Sequence, residues 1–482
     1  MNNISDLNPK VLWRNFQSLC DVPHASKHEG QAVKLVIDFA DKHHLQYKTD
    51  NVGNVVVLKS ATIGYEDKPI IVIQSHLDMV PQKNESTVHN FETDSIQTYA
   101  DDGWVRAKGT TLGSDNGIGV AAGLALLEST DIQHGPLEVL FTVDEETDMT
   151  GAYNLSDDFI RGRILLNLDS EDEGEIFIGS AGGVNLTANF DYISQPSPVN
   201  YAPFQISLTG LRGGHSGVDI IKGYGNANKI MNSLLLDISQ KFGSRIASIN
   251  GGSLQNAIPR ESFVVLLIPI INKDSFIAYI NEFGGKLVSD LSKVEPNIRL
   301  QIDPVNLSES VIDIDTQNQL LNAIDKLPNG VIAMSQDMPE IVETSTNLAI
   351  IKSSNNKIEV VCSLRSSDDF ALADLRSLMS GIIESASGNV QTFGLFPTWR
   401  PDMKSPILQI MVQAYQNKFG ILPKVKIIHA GLECGIIGNK YPGMDMVSIG
   451  PTIRNPHSPD EKVNIESVEK FWLYLIEVLK TI

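Results

Sequence analysis

The stretch Pro69-Ile-Ile-Val-Ile-Gln-Ser-His-Leu-Asp-Met-Val80 narrows the choice of fold more than any other part of the chain. A short unbroken Ile/Val run predicts a strand buried on both faces, as in a parallel sheet covered by helices. In such open α/β sheets ligands bind beyond the carboxyl ends of the strands, and His76 and Asp78 stand at that end. One His-x-Asp after a strand also describes an ordinary capped turn, so the other strand ends carry the weight.

Those ends repeat the pattern. Leu137-Glu-Val-Leu-Phe-Thr-Val143 runs directly into Asp144-Glu145-Glu146, and Arg163-Ile-Leu-Leu-Asn-Leu168 into Asp169-Ser-Glu171. Met444-Asp-Met-Val-Ser-Ile449 leads through Gly450-Pro451 to His457. Gly109-Thr-Thr-Leu-Gly-Ser-Asp115-Asn-Gly-Ile-Gly119 opens a long apolar helix, with Asp115 at its start. An aspartate there has an ordinary use as acceptor for orphan backbone N–H groups. An acidic cluster after any single strand is ordinarily a solvated turn. Four strands ending in histidine or carboxylate, together with Asp115, predict convergence on one rim of one sheet. Glu171, Asp172 and Glu173 are expected to be solvated loop charges, and Cys434 a small buried residue near the site.

Helices are expected over 8–20, 29–44, 406–419 and 466–479, flanking strands near 55–58 and 425–429. Between the two parts of this unit the sequence changes character. Gln195-Pro-Ser-Pro198 and Phe396-Pro-Thr-Trp-Arg-Pro401 are candidate crossings between domains. Inside them, strand patterns (204–208, 262–267, 357–362) mix with helical ones (226–240, 273–294, 317–326, 368–385), as in an α+β insert with antiparallel sheet. The expected fold is therefore α/β: a discontinuous catalytic domain, 1–190 and 398–482, with helices on both faces of a mixed, mainly parallel sheet. It is interrupted by an α+β domain over 191–397, readable as two similar halves in tandem.

Composition excludes several functions. Lys+Arg 38 against Asp+Glu 58 gives a net charge of −20, which argues against nucleic acid and anionic membrane surfaces as partners. The N-terminus lacks the basic and apolar regions of a signal peptide, and no later run of about 18 apolar residues follows, so a cytoplasmic protein is expected. Three scattered cysteines, Cys20, Cys362 and Cys434, suggest neither a disulfide framework nor a thiolate metal site. Any metal would need the imidazoles of His76 and His457 and the carboxylates of Asp115, Glu146 and Asp169. That donor mixture suits a pair of zinc-like ions better than one structural zinc. Two such ions about 3.5–4 Å apart, sharing a carboxylate, acidify water for hydrolysis. Glu145 beside Glu146 supplies a base, and Asp78 can orient His76 through its second nitrogen.

These residues carry a resemblance to the M20 metallopeptidases, most closely the aminoacyl-histidine dipeptidase branch. The matching stretches are Ser75-His-Leu-Asp-Met-Val-Pro-Gln-Lys-Asn84, Gly109 to Gly119, Asp144-Glu-Glu146, Asn167-Leu-Asp-Ser-Glu171, Gly213-Gly-His-Ser-Gly217, Asn256-Ala-Ile-Pro-Arg260, His429-Ala-Gly-Leu-Glu-Cys-Gly435, Ser448-Ile-Gly-Pro-Thr452 and Pro456-His-Ser-Pro-Asp460. The resemblance implies two Zn²⁺ per subunit, with Co²⁺ or Mn²⁺ as substitutes, bridged by Asp115. His76 and Asp169 would complete one site, and Glu146 and His457 the other. It makes Glu145 the general base and Asp78 the partner of His76. The insert becomes a lid whose His215 stabilises the oxyanion. Arg365 would hold a peptide carboxylate, aided by Asn256 and the backbone of Gly431.

The implied activity is hydrolysis of dipeptides with a free C-terminus, such as Xaa-His; an aminotripeptidase or N-acyl amino acid deacylase on the same scaffold is the alternative. A homodimer is expected. One departure from the family pattern is Thr147-Asp-Met149 after the glutamate pair, where many relatives carry x-Gly. A left-handed backbone at Asp148 would disturb that turn.

Overall fold

The computed structural model describes residues 4–336 and 338–482. The chain forms two compact units, one built from the chain up to Ser180, Trp399–Ile427 and Leu432–Ile482, the other from Ala181–Thr398 and Ile428–Gly431.

In the first unit, Leu137–Thr142, Ile71–His76, Ile164–Asn167 and Asp445–Ser448 lie side by side and parallel. Antiparallel neighbours flank them, Val55–Lys59 and Gln46–Thr49 on one side and Glu175–Ser180 on the other, with Lys424–Ile428 last in the row. Every residue of Ile71–His76 and Leu137–Thr142 is buried. Because successive side chains point to opposite faces, both faces of these strands are covered. Register places Gln74 opposite Asn167, and His76 opposite Thr142, so the strands end along one rim.

The covering helices follow from sequence. Ile465–Thr481 starts from Asn464, whose side chain accepts from Ser467 N, and buries Val468, Phe471, Trp472, Leu475, Val478 and Leu479 at helical spacing. Each such side chain contributes roughly 1.5–3 kcal/mol of burial. Lys10–Cys20 packs on Ser114–Glu128, where a Cβ at Gly117 would come within 2.8 Å of the Phe16 ring. The stretch between Pro81 and the Asp115 helix contributes Thr98–Asp101 and Trp104–Ala107 to a small second sheet with Lys462–Asn464 and Ile453–Arg454. His457 therefore sits in a loop between two short antiparallel strands, a step removed from Asp445–Ser448.

The second unit is built on an antiparallel sheet in the order Arg299–Pro304, Tyr201–Thr209, Ser262–Pro269, Arg245–Gly251, Val342–Ser354, Lys357–Ser366, Gly182–Asp191 and Asn389–Phe396, with Gly330–Met334 also on Val342–Ser354. It carries two separate two-stranded pairings, Ser194–Pro196 with Ser310–Ile312 and Gly214–His215 with Ala257–Ile258. Its core includes helices Ala227–Phe242, Lys273–Leu291, Ile314–Lys326 and Asp369–Ser385. The chain enters this unit at Ala181, ahead of the proline-bearing stretch, because Gly182–Asp191 pairs along its whole length with Lys357–Ser366. Among the described residues no helix is long and apolar enough to cross a membrane.

Candidate metal centre

The rim of the first unit brings together the residues expected there. His76 closes its strand and is buried, with Nδ1 3.1 Å from the Asp78 carbonyl and 3.3 Å from Asp78 Oδ1. Its Nε2 faces Asp115 Oδ1 at 3.3 Å and Asp169 Oδ1 at 3.2 Å. The other oxygen of Asp115, Oδ2, lies 3.2 Å from His457 Nε2, which is itself 3.0 Å from Glu146 Oε2. One carboxylate thus faces two separate histidine–carboxylate pairs.

Asp115 is free to do so because another residue caps its helix. Its backbone is not helical (φ −86°, ψ 107°), and the N–H groups ahead of the regular helix belong to Glu461. That carboxylate accepts from Leu112 N (2.7 Å), Gly113 N (3.0 Å), Ser114 N (2.8 Å) and Ser114 Oγ (2.6 Å), with Asp115 N at 3.4 Å. The capping role open to Asp115 from sequence is filled from a distant segment.

Asp78 holds two parts of the site. Its Oδ1 accepts from Glu145 N at 3.0 Å, and its Oδ2 from Glu146 N at 3.2 Å and Ser26 Oγ at 2.8 Å. The turn carrying Glu145 and Glu146 takes its left-handed residues at Asp144 and Met149, so the concern over Asp148 does not materialise. Thr147 and Thr150 hydroxyls donate to the Asp144 carboxylate and brace that turn. Asp169 is steadied by Asn116 Nδ2, which also donates to Leu168 O at 2.9 Å.

The electrostatics are those of a cluster with more negative charge than its imidazoles can balance. Burial raises Glu146 to about 7, helped by the Asp115 charge. Burial likewise raises Glu145 well above the ordinary carboxylate range, where Asp169, Glu146 and Glu433 oppose its charge. Desolvation alone would lower both histidines. For His76 the carboxylates of Asp169, Asp115 and Asp78 outweigh it, and for His457 Asp115 and Glu146 carry the ring to about 11. Asp115, facing both rings, is lowered despite its burial.

A metal fits this donor set. Bonds of about 2.0–2.1 Å at tetrahedral angles put donor atoms roughly 3.3 Å apart, close to the 3.0–3.3 Å separations found here. Ligand atoms of His76, Asp115 and Glu146 lie within 4.8 Å of one another. Glu146 Oε1 is buried with no hydrogen-bond partner, a costly state that a cation relieves.

Comparison with known proteins agrees with this chemistry. Residues 72–481 match the pattern of Peptidase family M20/M25/M40. The chain belongs to this family. The M20 chain is 41% identical over 482 residues to the cytosol non-specific dipeptidase of Escherichia coli (strain K12), covering 100% of this chain and 99% of that protein. It superposes on the crystal structure of aminoacylhistidine dipeptidase from Vibrio alginolyticus with TM-score 0.89 and 43% identity, covering 100% and 98% of the two chains. An aminopeptidase of Bacillus cereus shares the fold, at TM-score 0.62, 16% identity and coverage of 98% and 99%.

The second unit of this M20 chain gathers the remaining expected residues. Gly214–His215 pairs with Ala257–Ile258, and Ser216 N donates to the carbonyl of Asn256, whose side chain is exposed. His215 Nδ1 accepts from Gly217 N (3.2 Å) and Val218 N (3.1 Å), which leaves the ring proton of the neutral form on Nε2. A Cβ at Gly217 would fall 2.1 Å from the carbonyl of His429 and 3.2 Å from Arg365 Cδ, so close packing joins all three segments. Arg365 is buried, which lowers it to about 10, and its Nε has no hydrogen-bond partner. Gly431 belongs to the Ile428–Gly431 segment of the same unit, half-buried.

Three residues of this M20 chain went unassigned in the sequence. Glu461 follows Pro459-Asp460 and looks there like one more surface charge, and Glu433 stands inside Gly-Leu-Glu-Cys-Gly. His429 heads that stretch; its Nε2 lies 2.7 Å from Ser345 Oγ, and burial beside Arg365 and His215 pushes it to about 3. Of the three loop charges expected to be solvated, Asp172 keeps a side chain that is 42% exposed, while Glu171 is withdrawn from water and Glu173 is half-buried. Burial and the Asp115 charge raise Glu171 to about 8, Asp172 pairs with Arg454 at 2.7 Å, and Glu173 accepts from the Tyr415 hydroxyl at 2.6 Å. Cys434 is buried.

Proposed function

We propose that the chain is a cytoplasmic metallo-dipeptidase that hydrolyses dipeptides with a free C-terminus, Xaa-His among them, using two Zn²⁺ per subunit, with Co²⁺ or Mn²⁺ able to replace them. The observation that carries this reading is Asp115, with one carboxylate oxygen toward His76 and Asp169 and the other toward His457 and Glu146. The names of the Escherichia coli and Vibrio relatives support the substrate class, and the former supports the compartment.

His76 and Asp169 would hold one ion and Glu146 and His457 the other, with Asp115 shared. When bound, such a pair supplies Lewis-acid polarisation of the scissile carbonyl and an acidified water. Glu145 takes the proton of the attacking water and returns it to the leaving amine. His215, its proton on Nε2, donates to the oxyanion. Arg365 pairs with the substrate carboxylate in a two-bonded contact that relieves its own burial, while Asn256 and the Gly431 backbone bind the same end. Asp78 keeps His76 and the Glu145 turn in register. The second unit acts as a lid, and the active species is a homodimer.

Metal content measured together with hydrolysis of dipeptides, tripeptides and N-acyl amino acids tests the reading. A metal-loaded protein that cleaves only tripeptides or only acylated amino acids would replace it. For Arg365→Met, KM for dipeptides is expected to rise at least about tenfold, whereas weak turnover of C-terminally amidated dipeptides stays unchanged. Equal losses on both substrates would remove Arg365 from carboxylate binding.

Metal uptake is also expected to release protons. His457, near 11, is protonated in the metal-free protein at pH 7, and its ring nitrogen must lose that proton to become a ligand. Affinity therefore falls as pH falls. Calorimetry in buffers of different ionisation enthalpy reads the release directly, and a pH-independent affinity between 6 and 8 would contradict it.

A further inference from the structure

Beneath the rim lies a buried acid that the mechanism does not use. Glu433, the first residue of helix Glu433–Lys440, is fully buried, as are Gln74, Thr142 and Asn167 around it. These three residues lie on adjacent parallel strands, each two or three positions before a functional group: Gln74 before His76, Thr142 before Glu145, Asn167 before Asp169.

Their hydrogen bonds run one way. Asp169 N donates to Asn167 Oδ1 (3.3 Å), Asn167 Nδ2 to Gln74 Oε1 (2.6 Å), and Gln74 Nε2 to Glu433 Oε2 (2.6 Å). From the other side Thr142 Oγ1 donates to the same oxygen at 2.7 Å. Glu433 Oε2 is thus the terminal acceptor of a chain crossing three strands, while Oε1 has no partner. The arrangement decides how two amides face. With its NH₂ group committed to Glu433, Gln74 must turn its oxygen toward Asn167, whose own oxygen is then left for the Asp169 backbone.

We propose that Glu433 is a positioning residue for the metal centre, the acceptor that orients Gln74 and Asn167 and through them Asp169, and that holds Thr142 ahead of the Glu145 turn. This rests on the reading of Asp169 and His76 as metal ligands. The burial that makes the carboxylate costly to hold is consistent with a role beyond stability, since an apolar side chain of similar size would fill the space without that cost.

The test compares Glu433→Leu, Glu433→Gln and Gln74→Leu by zinc titration of the metal-free protein against a chelator and by the absorption spectrum of the Co²⁺ form. Glu433→Leu removes the acceptor and is expected to weaken zinc binding about 10–100-fold, with an altered Co²⁺ spectrum. Gln74→Leu, which cuts the chain at its middle, is expected to do the same and serves if Glu433→Leu does not fold. Glu433→Gln keeps an oxygen for both donors and is expected to stay within about threefold of wild type.

Wild-type affinity and spectrum in either leucine variant would overturn the proposal. So would a Glu433→Gln variant as weak as Glu433→Leu, which would assign the effect to charge. Failure of the wild-type protein to bind zinc or cobalt would instead bring down the metal-centre reading, and this proposal with it.

Discussion

Replacing Glu145 by glutamine is expected to lower kcat by about 10²–10⁴-fold while metal content stays at the wild-type level. The backbone supports the separation of these effects. Glu145 N and Glu146 N both donate to Asp78, so the turn keeps its place when the Glu145 side chain changes, and Glu146 remains directed at His457. Glutamine preserves the shape and loses the capacity to accept the water proton.

Stability is expected to move the other way. Folding raises the Glu145 pKa above its ordinary 4.5, chiefly through burial. An acid raised in this way binds its proton more tightly in the folded state, so the folded protein loses stability as pH climbs above the unfolded value. At pH 7 the metal-free Glu145→Gln variant is therefore expected to melt at or above the wild-type temperature. Steady-state kinetics, metal analysis and a melting curve check the three statements together. A variant within about threefold of the wild-type rate would remove Glu145 as the base, because general base catalysis contributes far more than that.

The second large effect belongs to Glu461. Glu461→Ala leaves the N–H groups of Leu112, Gly113 and Ser114 and the Ser114 hydroxyl without their acceptor in a buried place. At about 1–3 kcal/mol for each stranded donor, partly recovered by water entering the space, a loss of about 3 kcal/mol or more in unfolding free energy is expected. Metal binding should weaken with it, since the same donors fix the loop that aims Asp115 at both histidines. Urea unfolding in the presence of a chelator measures the first effect, and metal titration the second. A midpoint shift worth under about 1 kcal/mol with unchanged slope would mean that the loop holds itself.

The parallel strands were legible because burial on both faces leaves an unbroken apolar run, as in Ile71–His76 and Leu137–Thr142. Gly182–Asp191 and Val342–Ser354 were not. Glycine, threonine and asparagine break their patterns, and what makes them strands is the neighbours on either side. In the site, His76, Glu146 and Asp169 announce themselves by standing at strand ends.

Glu433 and Glu461 are carboxylates whose partners are mostly distant in sequence, and in a string of letters they resemble solvated charges. Glu171 misleads for the same reason: it stands in an acidic run, yet burial and the Asp115 charge raise it to about 8. Sequence shows which residues have suitable chemistry; which of them lose water is decided by tertiary contacts.

The bond between Glu461 and the Asp115 loop has a consequence for the order of assembly. Its two ends are 346 residues apart in the chain. While the protein is being synthesised, Asp115 emerges long before either the acceptor that shapes its loop or the second histidine that it faces. Closing so long a loop carries an entropic cost that only the finished sheet offsets. A nascent chain that has completed the second unit carries His76, Asp115, Glu146 and Asp169 but neither His457 nor Glu461, so the Asp115 loop takes its final form only after that later stretch has docked.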